Sequence, residues 1–237
     1  MIGSQVPGPL QYAVWFLCTL FEVAVLVCAF RIRAVRRYFL LNLYIAFEVV
    51  ASIVRFEILQ HYGLQSTTYA YFYYYSDALL TILLFFALSS LYSQVFHELN
   101  VGRYVQFGAL FLLSGTALFS FAVIQQSSAK LLSHFVFELS QNLYFVGLVL
   151  TYILWAAILK LRETRAQLIQ IVLSLGIYFS LYAANYALRN LYPSMGSLFQ
   201  SLNPVIGCFL PCAWAYAFWR IPKDARLVPS TLAVIPR

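Results

Sequence analysis

The sequence predicts an all-α membrane protein: a seven-transmembrane-helix bundle with its N-terminus outside and its C-terminus in the cytoplasm. Three observations predict it. The 237 residues are 62% hydrophobic and only 10% charged, where a soluble domain carries roughly 25% charged residues. Seven long apolar runs follow one another with short loops. The cations fall on one side of that pattern.

The spans read as residues 10–30, 38–60, 69–96, 105–124, 131–159, 167–191 and 198–219. Each supplies the roughly 20 residues that cross a bilayer core. Inside lipid no water satisfies the backbone, so such spans are helices. A transmembrane β-barrel would alternate apolar and polar residues, and runs such as residues 79–86 (LLTILLFF) do not. The seven spans make one domain over 1–220, and 221–237 is a short cytoplasmic tail.

Arg31, Arg33, Arg36, Arg37, Arg103, Lys160, Arg162, Arg165, Arg220, Lys223, Arg226 and Arg237 share one side; Arg55, Lys130 and Arg189 lie at or near the other. On loops this short, that bias sets orientation. The first span has no cation before it and four just after it, which fits an N-out anchor and not a cleaved signal peptide. The same rule accounts for the net charge of +7, so no nucleic-acid partner is implied. Short loops and absent processing signals point to a bacterial plasma (inner) membrane.

Two loops share a cationic spacing. Arg31-x-Arg33-x-x-Arg36 joins the first two spans and Lys160-x-Arg162-x-x-Arg165 joins the fifth and sixth. Spans 1–3 and 5–7 then read as parallel three-helix repeats with the fourth span as an inverting linker. Some transporters, SWEET proteins among them, are built this way. The positive-inside rule alone would also place Arg in both loops.

Ionisable residues inside lipid usually face a bundle interior and mark function. By the span bounds, Arg55, Glu57, Asp77, Glu138 and Arg189 lie within eight residues of an outer helix end, a slab about 12 Å deep. His61, His134, Asn142, Asn185 and Asn203 fall in or near it. Helical spacing sorts these into stripes: Tyr178, Tyr182, Asn185 and Arg189 on the sixth span; His134, Glu138 and Asn142 on the fifth; Tyr73, Asp77 and Thr81 on the third; Glu48, Ser52 and Arg55 on the second. Polar stripes at matched depth are what a pocket between helices requires. Arg55, Tyr73, Asp77, Glu138, Asn142, Tyr182, Asn185, Arg189 and Asn203 are the candidate ligand-binding residues. A polar network that merely locks the bundle would use the same residue types. Tyr69 and Tyr71 read as interface-belt residues, Tyr73 and Tyr74 as deeper ones.

Glu22 and Glu48 stand near mid-membrane with no cation close in sequence. Each must be neutral or paired with another helix. They are the candidate proton-carrying residues; a structural hydrogen bond is the plainer role.

Several chemistries are excluded. The seven-span, N-out topology resembles rhodopsins and seven-helix receptors in outline only. Retinal needs a Schiff-base Lys in the last span, and residues 198–219 contain none. Asn203-Pro204 lies at the outer end with no Tyr three residues on, unlike the receptor motif; the prolines more simply kink the helix. Three His, with His97 at the cytoplasmic end, do not make a zinc hydrolase. His61 and His134 lie too close to span ends for a haem. Cys208 and Cys212 share a face but read as apolar fillers. No phosphate loop, nucleophile elbow or zincin motif occurs. No enzyme, metal or cofactor is expected.

The expected function is receptor-like or sensory: a small polar ligand bound in the outer half, in contact with the lipid bilayer, with a signalling partner protein because the tail is too short for an effector domain. A small-solute transporter, proton-coupled through Glu22 or Glu48, is the second reading. It needs a polar path in the inner half, where only Ser89, Ser93, Gln170 and Ser174 are candidates. A structural subunit of a larger membrane complex is the third.

Overall fold

The computed structural model describes residues 9–63, 66–97, 102–124, 131–192, 196–222 and 225–226. They form seven helices: α1 (Pro9–Arg31), α2 (Phe39–Tyr62), α3 (Thr67–Val95), α4 (Gly102–Ile124), α5 (Leu131–Lys160), α6 (Ala166–Leu191) and α7 (Gly196–Arg220). All seven are long and apolar enough to cross a membrane. Each boundary falls within three residues of the reading from sequence. Lys130, Lys223 and Arg237 from the cation count lie outside the described residues, as do the side chains of Arg103 and His134.

The helix ends have local causes. Ser66 caps α3 by accepting from the Tyr69 N–H at 3.0 Å. Gly63 ends α2 at φ 78, a left-handed conformation that costs glycine nothing, and its N–H reaches back to the Leu59 carbonyl at 2.9 Å.

The two cationic loops share one geometry. Arg33 has φ 54 and Arg162 has φ 51, an uncommon conformation for an L residue. The Arg33 N–H donates to Phe30 O and the Ala34 N–H to Ala29 O. The Arg162 N–H donates to Leu159 O and the Glu163 N–H to Ile158 O. Each set is a Schellman cap with arginine where glycine is usual. The register between them, Arg33 onto Arg162, also places Val25, Ala29, Asn42 and Ile45 on Leu154, Ile158, Ile171 and Ser174, all buried.

Packing follows the same symmetry. α1 lies between α2 and α7, α2 packs on α3, α3 on α5, α5 on α6 and α6 on α7. Exchanging the halves maps the α3–α5 seam onto the α7–α1 seam. α4 stands outside this ring against α5 and α3, with Tyr104, Phe107, Phe111 and Leu118 largely exposed. Arg55 and Arg189, each near the end of its helix, are not equivalent in the register that the loops define.

One end of the bundle is cation-rich and closed. Arg165 donates to Gln94 O at 2.9 Å, and Gln94 donates to Arg37 O at 3.0 Å. Glu163 accepts from Arg165 Nε at 2.9 Å. Chain from the start of the tail adds to this closure: the Ala166 N–H donates to Ala225 O at 3.0 Å. Above it, Tyr38, Leu41, Leu88, Leu91, Trp214 and Phe218 fill the half of the core nearest this end.

Candidate functional site

Arg55 on α2 organises the opposite half. Its Nε and Nη2 donate to Ser76 Oγ on α3 at 2.9 and 2.7 Å. Nη2 also reaches the Tyr73 carbonyl at 3.4 Å, and the guanidinium lies 4.6 Å from the centroid of the Tyr73 ring. A guanidinium at this depth needs such partners. Ser76 follows Tyr73 by three residues, so one helix face presents ring, carbonyl and hydroxyl together.

Three carboxyls surround this centre. Asp77, Glu48 and Glu22 all lie within electrostatic reach of Arg55. Among the described residues, no ion pair within 4.0 Å joins them to it. Glu22 is 5% exposed, and its Oε2 has no hydrogen-bond partner. Glu48 lies beside Tyr44 and faces Glu22 across α1 and α2. The two acids that looked isolated in sequence are therefore neighbours, and Arg55 is their common cation.

Four tyrosines, Tyr73, Tyr144, Tyr182 and Tyr186, lie within electrostatic reach of Asp77. Tyr144 on α5 stacks on Tyr182 of α6 at 4.6 Å, rings 8° from parallel. Ser140, one turn before Tyr144, lies beside Asp77. It is 1% exposed and within hydrogen-bonding reach of the Asp77 carboxyl.

α7 joins through Asn203. Its Oδ1 accepts from Asn185 Nδ2 at 2.6 Å, and its carbonyl accepts from Tyr182 at 3.4 Å. Arg189 is half-buried and within reach of Tyr186.

Several stripe residues point elsewhere. Asn142 donates to Ser120 of α4 at 3.0 Å, away from Arg55. Glu138 is half-buried, one turn before it on the same face. Ser52 turns to α1, accepting from Trp15 Nε1 at 2.6 Å and meeting Thr19 at 2.9 Å. Glu57 leaves the cluster altogether: its side chain is 65% exposed and pairs with His61 of the same helix at 3.9 Å. Tyr74 is exposed, with its ring edge on Tyr73 at 5.9 Å.

Sequence reasoning missed Ser76, Ser140 and Tyr144. A signal existed: Ser140, Tyr144, Gly147 and Thr151 follow i, i+4, i+7, i+11, the spacing of the α6 stripe, and all four are buried.

Cys208 meets Cys18 of α1, whose thiol donates to Pro204 O at 3.6 Å. Among the described residues no group of three His, Cys, Asp or Glu is placed to hold a metal. A separate crevice of about 120 Å³ lies between α5 and α6, lined by Thr151, Trp155, Gly176 and Ser180 with exposed Tyr152, Leu173 and Ile177. It holds no residue of the Arg55 cluster. No protein-family model matches this chain, and searches of the curated proteins and of the solved structures return no match.

Proposed function

We propose that this multi-pass membrane protein binds a small polar ligand at the Arg55–Tyr73–Asp77 cluster and acts as a receptor-like or sensory protein. One observation carries the reading: one guanidinium and three carboxyls are gathered from three helices without a direct ion pair. A purely structural network would satisfy its polar groups internally, whereas the buried Glu22 Oε2 here has no hydrogen-bond partner. In the N-out orientation that the cation bias implies, the cluster lies in the outer half and the cation-rich end faces the cytoplasm. Of the inner-half candidates for a polar path, Ser89, Ser93 and Ser174 each donate to a carbonyl of their own helix. A signalling partner completes the reading.

The test uses the full chain in nanodiscs and in liposomes with a panel of labelled polar metabolites. Saturable binding without accumulation supports the sensor. Accumulation inside liposomes supports the second reading, a transporter, which the parallel three-helix repeats favour. Uptake driven by a pH gradient and lost in Glu48→Gln would make that transporter proton-coupled. No binding and no uptake rejects both.

A further inference from the structure

We propose that the crevice between α5 and α6 binds an anionic phospholipid from the leaflet at the cation-rich end, with the Trp155 indole N–H on an ester carbonyl of the lipid. The site is separate from the Arg55 cluster and independent of the ligand-binding reading above.

Helix packing makes the crevice. α5 and α6 come close at Gly176, where an added Cβ would meet Thr151 Cγ2 at 3.0 Å and Trp155 Nε1 at 3.7 Å. The gap beside that contact has a volume of about 120 Å³. Its rim is Tyr152, Leu173 and Ile177, all exposed. On helices that cross a bilayer such a rim meets acyl chains, not water. An apolar cavity of about 150 Å³ takes up benzene, so this crevice admits part of a chain.

Trp155 supplies the polar mark. Trp15 Nε1 donates to Ser52 Oγ at 2.6 Å and Trp214 Nε1 to Ile171 O at 3.4 Å. The half-buried Trp155 indole donates to nothing among the described residues. An N–H left unmade beside lipid is costly. A tryptophan of the interfacial belt turns this group out to the headgroups. Here Nε1 lies against Gly176, inside the groove, so its acceptor has to enter with a lipid.

Depth and charge name that lipid. α5 has 30 residues, about 45 Å, the thickness of a bilayer with its headgroups. Trp155 lies five residues before the Lys160 end, about 7 Å inside it. That is where the hydrocarbon begins and the ester carbonyls sit. Lys160 and Arg162 are exposed beyond it, at headgroup level, while Arg165 is held by Glu163. Two exposed cations favour a phosphate of net negative charge over a zwitterion.

The experiment measures lipid retained by the full chain in detergent, using native mass spectrometry. The probes are phosphatidylglycerol and phosphatidylcholine with the same acyl chains. One phosphatidylglycerol should bind per chain, at least about fivefold more tightly than phosphatidylcholine. Trp155→Phe keeps the ring, removes the N–H and should weaken binding about threefold to tenfold. Ile177→Trp fills the crevice from its exposed side and should weaken binding at least about tenfold. Lys160→Gln combined with Arg162→Gln should abolish the preference and leave phosphatidylcholine binding as it was. Ile177, Lys160 and Arg162 are exposed, so these changes leave the packing of α5 on α6 intact. Equal affinity for the two lipids overturns the anionic ligand. Affinity unaffected by both Trp155→Phe and Ile177→Trp shows annular lipid only and overturns the site. So does a dimer in which a second copy covers the crevice and excludes lipid.

Discussion

Arg55 is the residue on which the cluster depends. Arg55→Ala strips Ser76 and the Tyr73 carbonyl of a charged donor and leaves three carboxyls without their cation. Melting of the purified protein should show a loss of about 1.5–3 kcal/mol. Arg55→Lys should fall between, because an ammonium keeps the charge but not the planar fork that spans hydroxyl and ring. Equal stability of all three would mean that the guanidinium is not held as described. Asn142 makes the opposite case. It joins α5 to α4 through Ser120, so Asn142→Ala should cost about 0.6 kcal/mol and leave ligand binding unchanged. Lost binding would return Asn142 to the site.

Helix pairs set tolerances that single residues do not show. A Cβ added at Gly147 of α5 would meet the Phe179 ring of α6 at 2.5 Å. Phe179 is itself fully buried, so Gly147→Ala should destabilise by about 1–3 kcal/mol, read by thermal melting. The α5–α6 loop adds a pH dependence. Hydrogen bonds from the Arg165 guanidinium, then from the Arg165 and Thr164 N–H groups, hold the Glu163 carboxyl down to about 2. An acid depressed on folding stabilises the protein above its usual range and loses that contribution as pH falls toward the folded value. Stability should therefore drop between about pH 4.5 and 2, and Glu163→Gln should flatten that part of the profile. An unaltered profile would show that the pair contributes nothing.

The element scale also explains what the sequence could disclose. Span positions were legible because lipid forces helices on any apolar run of that length. The closing geometry at Arg33 and Arg162 was not, since left-handed arginine runs against local preference and only the shared spacing hinted at it. On α3 the stripe Tyr73–Asp77 was legible because its polar residues are charged or clustered. On α5 the polar stripe with Glu138 and Asn142 drew attention, while Ser140, Tyr144 and Thr151, which are buried, did not. A tyrosine reads as apolar or interfacial from sequence, and only contact with Asp77 gives it another role.

For the whole molecule, orientation is the first thing to measure. A reporter active only in the cytoplasm should work fused after Arg237 and fail fused at Met1. Activity at Met1 would invert the bundle and put the Arg55 cluster in the cytoplasmic half.

The two seams of the ring are not loaded alike. The α3–α5 seam carries Asp77 and Ser140; the α7–α1 seam carries Cys18, Cys208 and Pro204. Duplication of a three-helix unit, with one copy of the contact then specialised, would produce such halves. An ancestor would have been a pair of separate three-helix chains lying side by side in the same sense. Fusing their genes directly would have set the second copy upside down, because three crossings end on the far side. A fourth crossing corrects that. α4 would then owe its place to counting rather than to chemistry. Its outward face need only be apolar and long enough, while Ala109 and Ser120, which it turns toward the ring, make the packing and hydrogen-bond contacts that seat it.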